Sequence, residues 1–246
     1  TTLSYGLLMR SAITEMTVPA SVTVLEDRVF ELCKSLTNVE FLGSLTSIGA
    51  ATFYECTALE TLELPGNFTE LPQTAIVGCT SLTELILPDT ITKFGINAVA
   101  FCSALTNFKL PANLGGLEEN AFKECASLTE IVIPDSVVWV SDRAFSDCWK
   151  LSSVKFGKNV ELIMENAFLY CTSLKSVTLP GSLTELCNGA FAGCSSLEDV
   201  IFEKGIDRLG FGVFSDCLKL LLEFVSTPYF TEESVEKERG IIDQEI

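Results

Sequence analysis

Apolar and polar positions along this chain recur with a period of 23 residues. Cys33, Cys56, Cys79, Cys102, Cys125, Cys148, Cys171, Cys194 and Cys217 mark the beat, and three residues after each stands a leucine, from Leu36 to Leu220. Six and eight residues after the cysteine come two further apolar columns, as in Leu85 and Leu87, Phe108 and Leu110, or Ile131 and Ile133. Their alternation with polar neighbours is the period-two signature of a short strand with one buried face. Proline in the ninth position (Pro65, Pro88, Pro111, Pro134, Pro180) ends the strand, because it offers no N–H to a ladder. Apolar columns at twelve and fifteen, such as Val137 and Val140, predict an extended return across the core. An Ala-Phe pair, as in Ala144-Phe145, precedes the next cysteine. The spacing A-F-x-x-C predicts one helical turn behind cap residues such as Asn120, Asp142 and Asn166.

A single coil of this kind cannot bury its apolar edge, so successive coils must stack, with equivalent positions about 4.8 Å apart. About ten coils then form one elongated array over residues 1–225, on the order of 50 Å long. Ile13, Met16, Val18, Val22 and Leu25 fit the same columns if Arg10 takes the cysteine position, and YGLLMR reads as the turn of a still earlier coil. The N-terminal edge is expected to lack a cap, and because a bare edge strand invites pairing the expectation is either a longer array cut short or a neighbour over that edge. At the other end Leu221, Leu222 and Phe224 break the polar pattern, with Leu220 and Val225 read as columns three and eight. Residues 226–246 read as an acidic cap or tail, in which Thr231 would open a short helix.

Composition narrows the function classes. A net charge of −17 over 246 residues disfavours nucleic acid and anionic lipid, both of which need dense Lys and Arg. No apolar run reaches the length of a bilayer span, so no membrane insertion is expected. With no histidine in the chain, Ser-His-Asp and Cys-His catalysis and histidine-bearing metal sites are ruled out, and no P-loop or G-x-G-x-x-G is present. The expectation is a protein that is not an enzyme and holds no cofactor or metal. Ten cysteines would suit a disulfide scaffold or zinc, but C-x2-C pairs do not occur. The beat is better read as a small apolar filler at every corner, with a weak S–H donor for a nearby carbonyl. Cys187, in LTELCNGAF, stands outside the beat and is expected to be the most accessible thiol.

From Arg10 to Val225 the pattern L-x-x-(I/V/L)-x-(I/L/F)-P, followed by A-F-x-x-C, resembles the BspA-type leucine-rich repeat. The resemblance implies an α/β leucine-rich-repeat solenoid with a parallel β-sheet on its concave face, short extended returns and one helical turn per coil. It also implies surface-exposed or secreted, adhesin-like proteins that recognise other macromolecules. The alternative is a structural scaffold subunit inside a cell or organelle, motivated by the unpaired thiols.

The remaining candidate chemistry lies on the outward strand columns, five and seven residues past each cysteine. The partner-binding strip expected there is Glu40, Glu63, Glu84, Ile86, Asn107, Lys109, Glu130, Val132, Lys155 and Ile201, acidic towards the N-terminus and carrying lysine later. The plainer reading is a solvated sheet face. Trp139 and Trp149 break polar columns and are either interface aromatics or packing across a local irregularity. Asn67-Phe68-Thr69 is an N-glycosylation acceptor sequence placed in the turn after a strand.

Overall fold

Residues 1–217 and 221–224 are described by a computed structural model of the chain, and they form a stack of short parallel strands around one core. One ladder holds the strands predicted after each cysteine: Glu15–Val18, Asn38–Phe41, Thr61–Glu63, Glu84–Ile86, Glu130–Val132, Ser153–Lys155, Ser176–Leu179, Asp199–Phe202 and Leu221–Phe224. Pairing is parallel, and the common step is 23 residues, as in Glu130 with Ser153 and Ser176 with Asp199. The predicted returns prove to be a second parallel ladder of two-residue strands, running from Thr2–Leu3 through Gly116–Leu117 to Arg208–Leu209. The acidic segment 226–246, and with it Thr231, lies outside the described residues.

The expected helical turn is not formed; among the described residues every regular element is a strand. The reason lies in where the backbone bonds. In each corner, alternate N–H groups donate to the next coil, as in Arg28 to Ala50, Phe30 to Thr52 and Leu32 to Tyr54 at 2.7–2.9 Å. The intervening groups close three-residue turns, as in Tyr54 N–H to Ala51 O and Cys56 N–H to Phe53 O. Two corner residues per coil adopt positive φ, five and one before the cysteine, for instance Ala51 (53°) and Glu55 (52°), or Asn120 (55°) and Glu124 (57°). A left-handed residue every fourth position cannot propagate a right-handed helix. Stacking supplies the partners that a helix would otherwise find within itself.

Register slips by one residue at both ends. Thr2 pairs with Val24 and Leu3 with Leu25, a step of 22, and the Gly6 and Arg10 φ values of 57° and 60° match those of Arg28 and Leu32. Ser11, not Arg10, therefore holds the cysteine position of the first corner. At the other end Asp199 pairs with Leu221 and Phe202 with Phe224, again 22 apart. Phe224 rather than Val225 takes column eight, and Glu223 falls opposite the outward Ile201. The apparent break in the polar pattern is this deletion.

The core is a set of side-chain columns running along the stack. Phe122, Phe145, Phe168 and Phe191 stack face to face at 5.0–5.3 Å, continued by Phe214 at 5.9 Å from Phe191; Phe30 and Phe53 do the same at 5.1 Å. Each offset pair adds roughly 0.5–1.5 kcal/mol to its burial. Between them the column is broken by Ile76 and Val99. There Phe94 and Phe108, from two other columns, reach Phe122 at 5.9 and 5.2 Å and occupy the vacated volume. The coil of Phe108 contributes no strand to the ladder, only Asn107 as a single bridge between Glu84 and Glu130.

Candidate functional site

The cysteine corner accounts for nine thiols. All ten cysteines are free, and every one on the 23-residue beat is buried. Each of these thiols donates to the carbonyl 26 residues earlier, or for Cys33 to that of Leu8: Cys56 to Phe30 at 3.0 Å, Cys148 to Phe122 at 3.2 Å, Cys194 to Phe168 at 3.3 Å. Burial lifts the Cys33, Cys125, Cys148 and Cys171 thiols above the ordinary range and Cys56 to about 12. Cys79 is raised first by its hydrogen bond with the Cys102 thiol and then by burial. Protonated thiols are poor nucleophiles and poor ligands, so the column is structural chemistry. Among the described residues no cluster of His, Cys, Asp and Glu could hold a metal ion, and no helix is long and apolar enough to cross a membrane. Cys187 is half-buried, the most accessible of the ten, yet burial followed by the Glu185 carboxylate, 3.5 Å away, pushes its pKa up to about 11.

The outward face of the strand ladder gathers most of the predicted strip. Glu84, Ile86, Asn107, Lys109, Glu130 and Val132 line one groove of about 520 Å³, with Leu110, Ala112 and Pro134 as further apolar walls. It opens over the coil that lacks a strand. Ile86 and Val132 flank that coil at 46% and 58% exposure, two rungs apart, roughly 9–10 Å by strand spacing. Glu40 and Glu63 line a second groove of about 520 Å³ with Asn38, Phe41, Thr61 and Pro65, continuous with the first through Glu84 and Ile86. Lys155 is opposite Val132 in the next strand. Ile201 does not join them. It stands three coils beyond Val132 and is half-buried, paired on its far side with the Leu221–Phe224 strand.

Ion pairs among the described residues leave the carboxylates of this face out. They engage Glu31, Glu55, Glu70, Asp89, Glu124, Asp135 and Glu185, several of them along the stack with a lysine or arginine one coil later, such as Glu70 with Lys93 at 3.2 Å and Glu185 with Arg208 at 2.8 Å. Glu15, Glu40, Glu63, Glu84 and Glu130 take part in none of these. Lys109 is the one strip residue so engaged, 3.8 Å from Asp89 and largely exposed.

The two tryptophans part company. The Trp139 indole lies flat on Gly116 in the preceding coil, where a Cβ would fall inside its ring, and it is half-buried. It packs across the Gly115-Gly116 return. Trp149 is 52% exposed at a corner away from the sheet face. Asn67 is exposed beside buried Phe68 and exposed Thr69, with its backbone N–H held by Leu45 at 3.0 Å.

Two features escaped sequence reasoning. Leu42 fills the proline position of its coil and is exposed beside the second groove; the empty ninth column was the available signal. A cleft of about 620 Å³ lies over the return ladder between Tyr5, Asp27, Gly49 and Glu70. Its carboxylates already serve the backbone, Glu26 accepting from Tyr5 N–H at 2.7 Å and Asp27 from Ala50 N–H at 2.8 Å.

Comparisons with known proteins agree with the fold. The family model for the BspA type leucine rich repeat region, in six copies, matches residues 1–126 and 100–221. A leucine-rich repeat protein of T. pallidum is 32% identical, with a TM-score of 0.63 over 72% of this chain and 82% of that one. A leucine-rich repeat protein from Bacteroides ovatus superposes with a TM-score of 0.62 at 22% identity, over 87% of this chain and 66% of that one, so the chain spans just under two thirds of its length. No curated protein matches. The 23-residue beat, the stacked parallel coils and the matched repeat model agree, and the chain belongs to the BspA-type leucine-rich repeat family.

Proposed function

We propose that this chain is a non-catalytic recognition module that binds another protein through the outward face of its strand ladder. The observation that carries the reading is the pair Ile86 and Val132, large apolar side chains left exposed on either side of a groove where the sheet thins to one bridging residue. Apolar side chains beside a dished, partly charged surface are what a protein interface uses as anchors. Other large apolar side chains are exposed at corners and turns, such as Leu7, Leu42, Trp149 and Phe211; Ile86 and Val132 are the pair that flanks the groove on the strand face.

The setting proposed with this reading is the cell surface or the secreted space, as membership of the BspA-type family suggests. A second reading, a scaffold subunit inside a cell, is favoured by ten unpaired thiols, because oxidising compartments tend to pair them. The binding face would serve either. The test compares wild type with Ile86→Glu/Val132→Glu in affinity capture from matched surface and intracellular extracts. Loss of a captured protein in the double variant, with thermal unfolding unchanged, supports the face; the same proteins captured by both chains would refute it. The extract that supplies the lost protein decides the compartment.

A further inference from the structure

We infer that the partner segment seated on this face presents an apolar anchor followed, towards the N-terminal strands, by lysine or arginine side chains; this rests on the sheet face being the binding surface. The apolar half of the inference comes from the groove. Between Ile86 and Val132 the rung bridges its neighbours through Asn107 alone, and Leu110, Ala112 and Pro134 complete a largely apolar groove of about 520 Å³ that Glu84, Lys109 and Glu130 also line. That space suits one or two aliphatic or aromatic side chains entering from outside.

The charged half comes from how carboxylates are treated elsewhere. On the return ladder two acids are answered by a base one coil away, Glu70 by Lys93 and Glu185 by Arg208. On the sheet face none of the described ion pairs reaches Glu40, Glu63, Glu84 or Glu130. Glu40 and Glu63 occupy equivalent positions on successive rungs, and like charges on neighbouring strands repel. Carboxylates stacked on successive rungs without a base leave this face as a complement for positive charge. Complementarity of this kind sets orientation and encounter rate. Beyond Val132 the sign changes at Lys155. A segment crossing the strands therefore has a direction, with its basic end over Glu40 and Glu63 and its apolar end between Ile86 and Val132.

The probe is a fluorescein-labelled peptide, Lys-Thr-Lys-Thr-Lys-Ser-Leu-Thr-Phe, with two companions in which glutamate replaces lysine or serine replaces leucine and phenylalanine. Anisotropy titrations should show both companions binding about tenfold or more weakly. Glu40→Lys/Glu63→Lys should weaken the basic probe by a similar factor. Glu161→Lys/Asp207→Lys makes the same change in net charge on exposed residues away from the face and should leave it within about twofold. Equal losses in the two charge-reversed variants would reduce the effect to the field of an acidic protein and overturn the inference. If the glutamate peptide binds as well as the basic one, and Ile86→Ser/Val132→Ser abolishes both, the face binds protein but the charge assignment fails. No difference between Ile86→Ser/Val132→Ser and wild type with any probe would overturn the binding face itself.

Discussion

The coils from Cys125 onward and the coil that begins at Cys102 are written on the same 23-residue template and come out differently. In the former, Phe145, Phe168 and Phe191 stack in a column, and each strand on the outer ladder has at least three residues. Around the latter, the phenyl position three residues before Cys102 is Val99, Phe108 lies 5.2 Å from Phe122, and the strand shrinks to Asn107. A repeat protein can thus open a groove without any insertion, by moving one aromatic ring from one core column to another. The groove is the surface consequence of a packing exchange beneath it.

Both regions share the cysteine corner, so alkali should break them together, and this is the largest effect expected. Below pH of about 8.5 the thiols are protonated folded or unfolded, and their contribution to stability is intact. Above it the unfolded chain sheds protons that Cys33, Cys56, Cys79, Cys125, Cys148 and Cys171 retain in the fold, Cys56 up to about 12. Stability then falls by about 1.4 kcal/mol per pH unit for each such thiol. Circular dichroism should show loss of the whole stack between about pH 9 and 11. A titration in which structure persists unchanged through that range would contradict the buried, protonated column.

Next in size is the core column itself. Phe145→Ala, between rings at 5.3 and 5.2 Å, should cost about 3–5 kcal/mol, and Leu128→Ala, fully buried, about 2–5 kcal/mol in denaturant melts. A loss below about 0.5 kcal/mol for either would place them outside the core. The exchange in the Cys102 coil can be reversed. Val99→Phe alone overpacks against Phe108 and should cost about 1–3 kcal/mol, whereas Val99→Phe/Phe108→Val conserves volume and should cost less than about 1.5 kcal/mol. In the double variant the strand around Asn107 should lengthen, read as slower amide exchange at Lys109 and Leu110. Unchanged exchange there would separate the groove from the phenyl column. The smallest contrast is between the tryptophans: Trp139→Ala should cost about 1–3 kcal/mol and Trp149→Ala within about 0.5 kcal/mol, since only the first covers a neighbouring coil.

The stack, its strands and its core columns were legible in the sequence because burial repeats with the period, and each column reports the same environment nine times. Three things were not. The corners looked helical, since A-F-x-x-C is compatible with one helical turn, and nothing in residues such as Ala51, Glu55 or Leu32 announces positive φ. The slips at Thr2 and Leu221 were hidden because a fixed count carries the wrong residue into column eight, Val225 in place of Phe224. The thinning at Asn107 was hidden because Phe108 satisfies the apolar column while leaving the strand, and a column records polarity, not direction. Of the strip, Glu84 to Val132 share one groove, while Ile201 stands three coils away beside a strand whose register was read one residue out of step.

Those left-handed corners carry one more implication. Fifteen described residues other than glycine sit at positive φ, an arrangement that disfavours most side chains by roughly 1–2 kcal/mol each. At the site five before the cysteine, Asn97, Asn120, Asn166, Gly189 and Gly212 already suit that geometry, while Arg28 and Ala51 do not, and neither do Thr74 and Arg143. The array is accordingly poised below the durability its own template permits, and asparagine introduced at those four bends would harden the spine while leaving its working surface untouched.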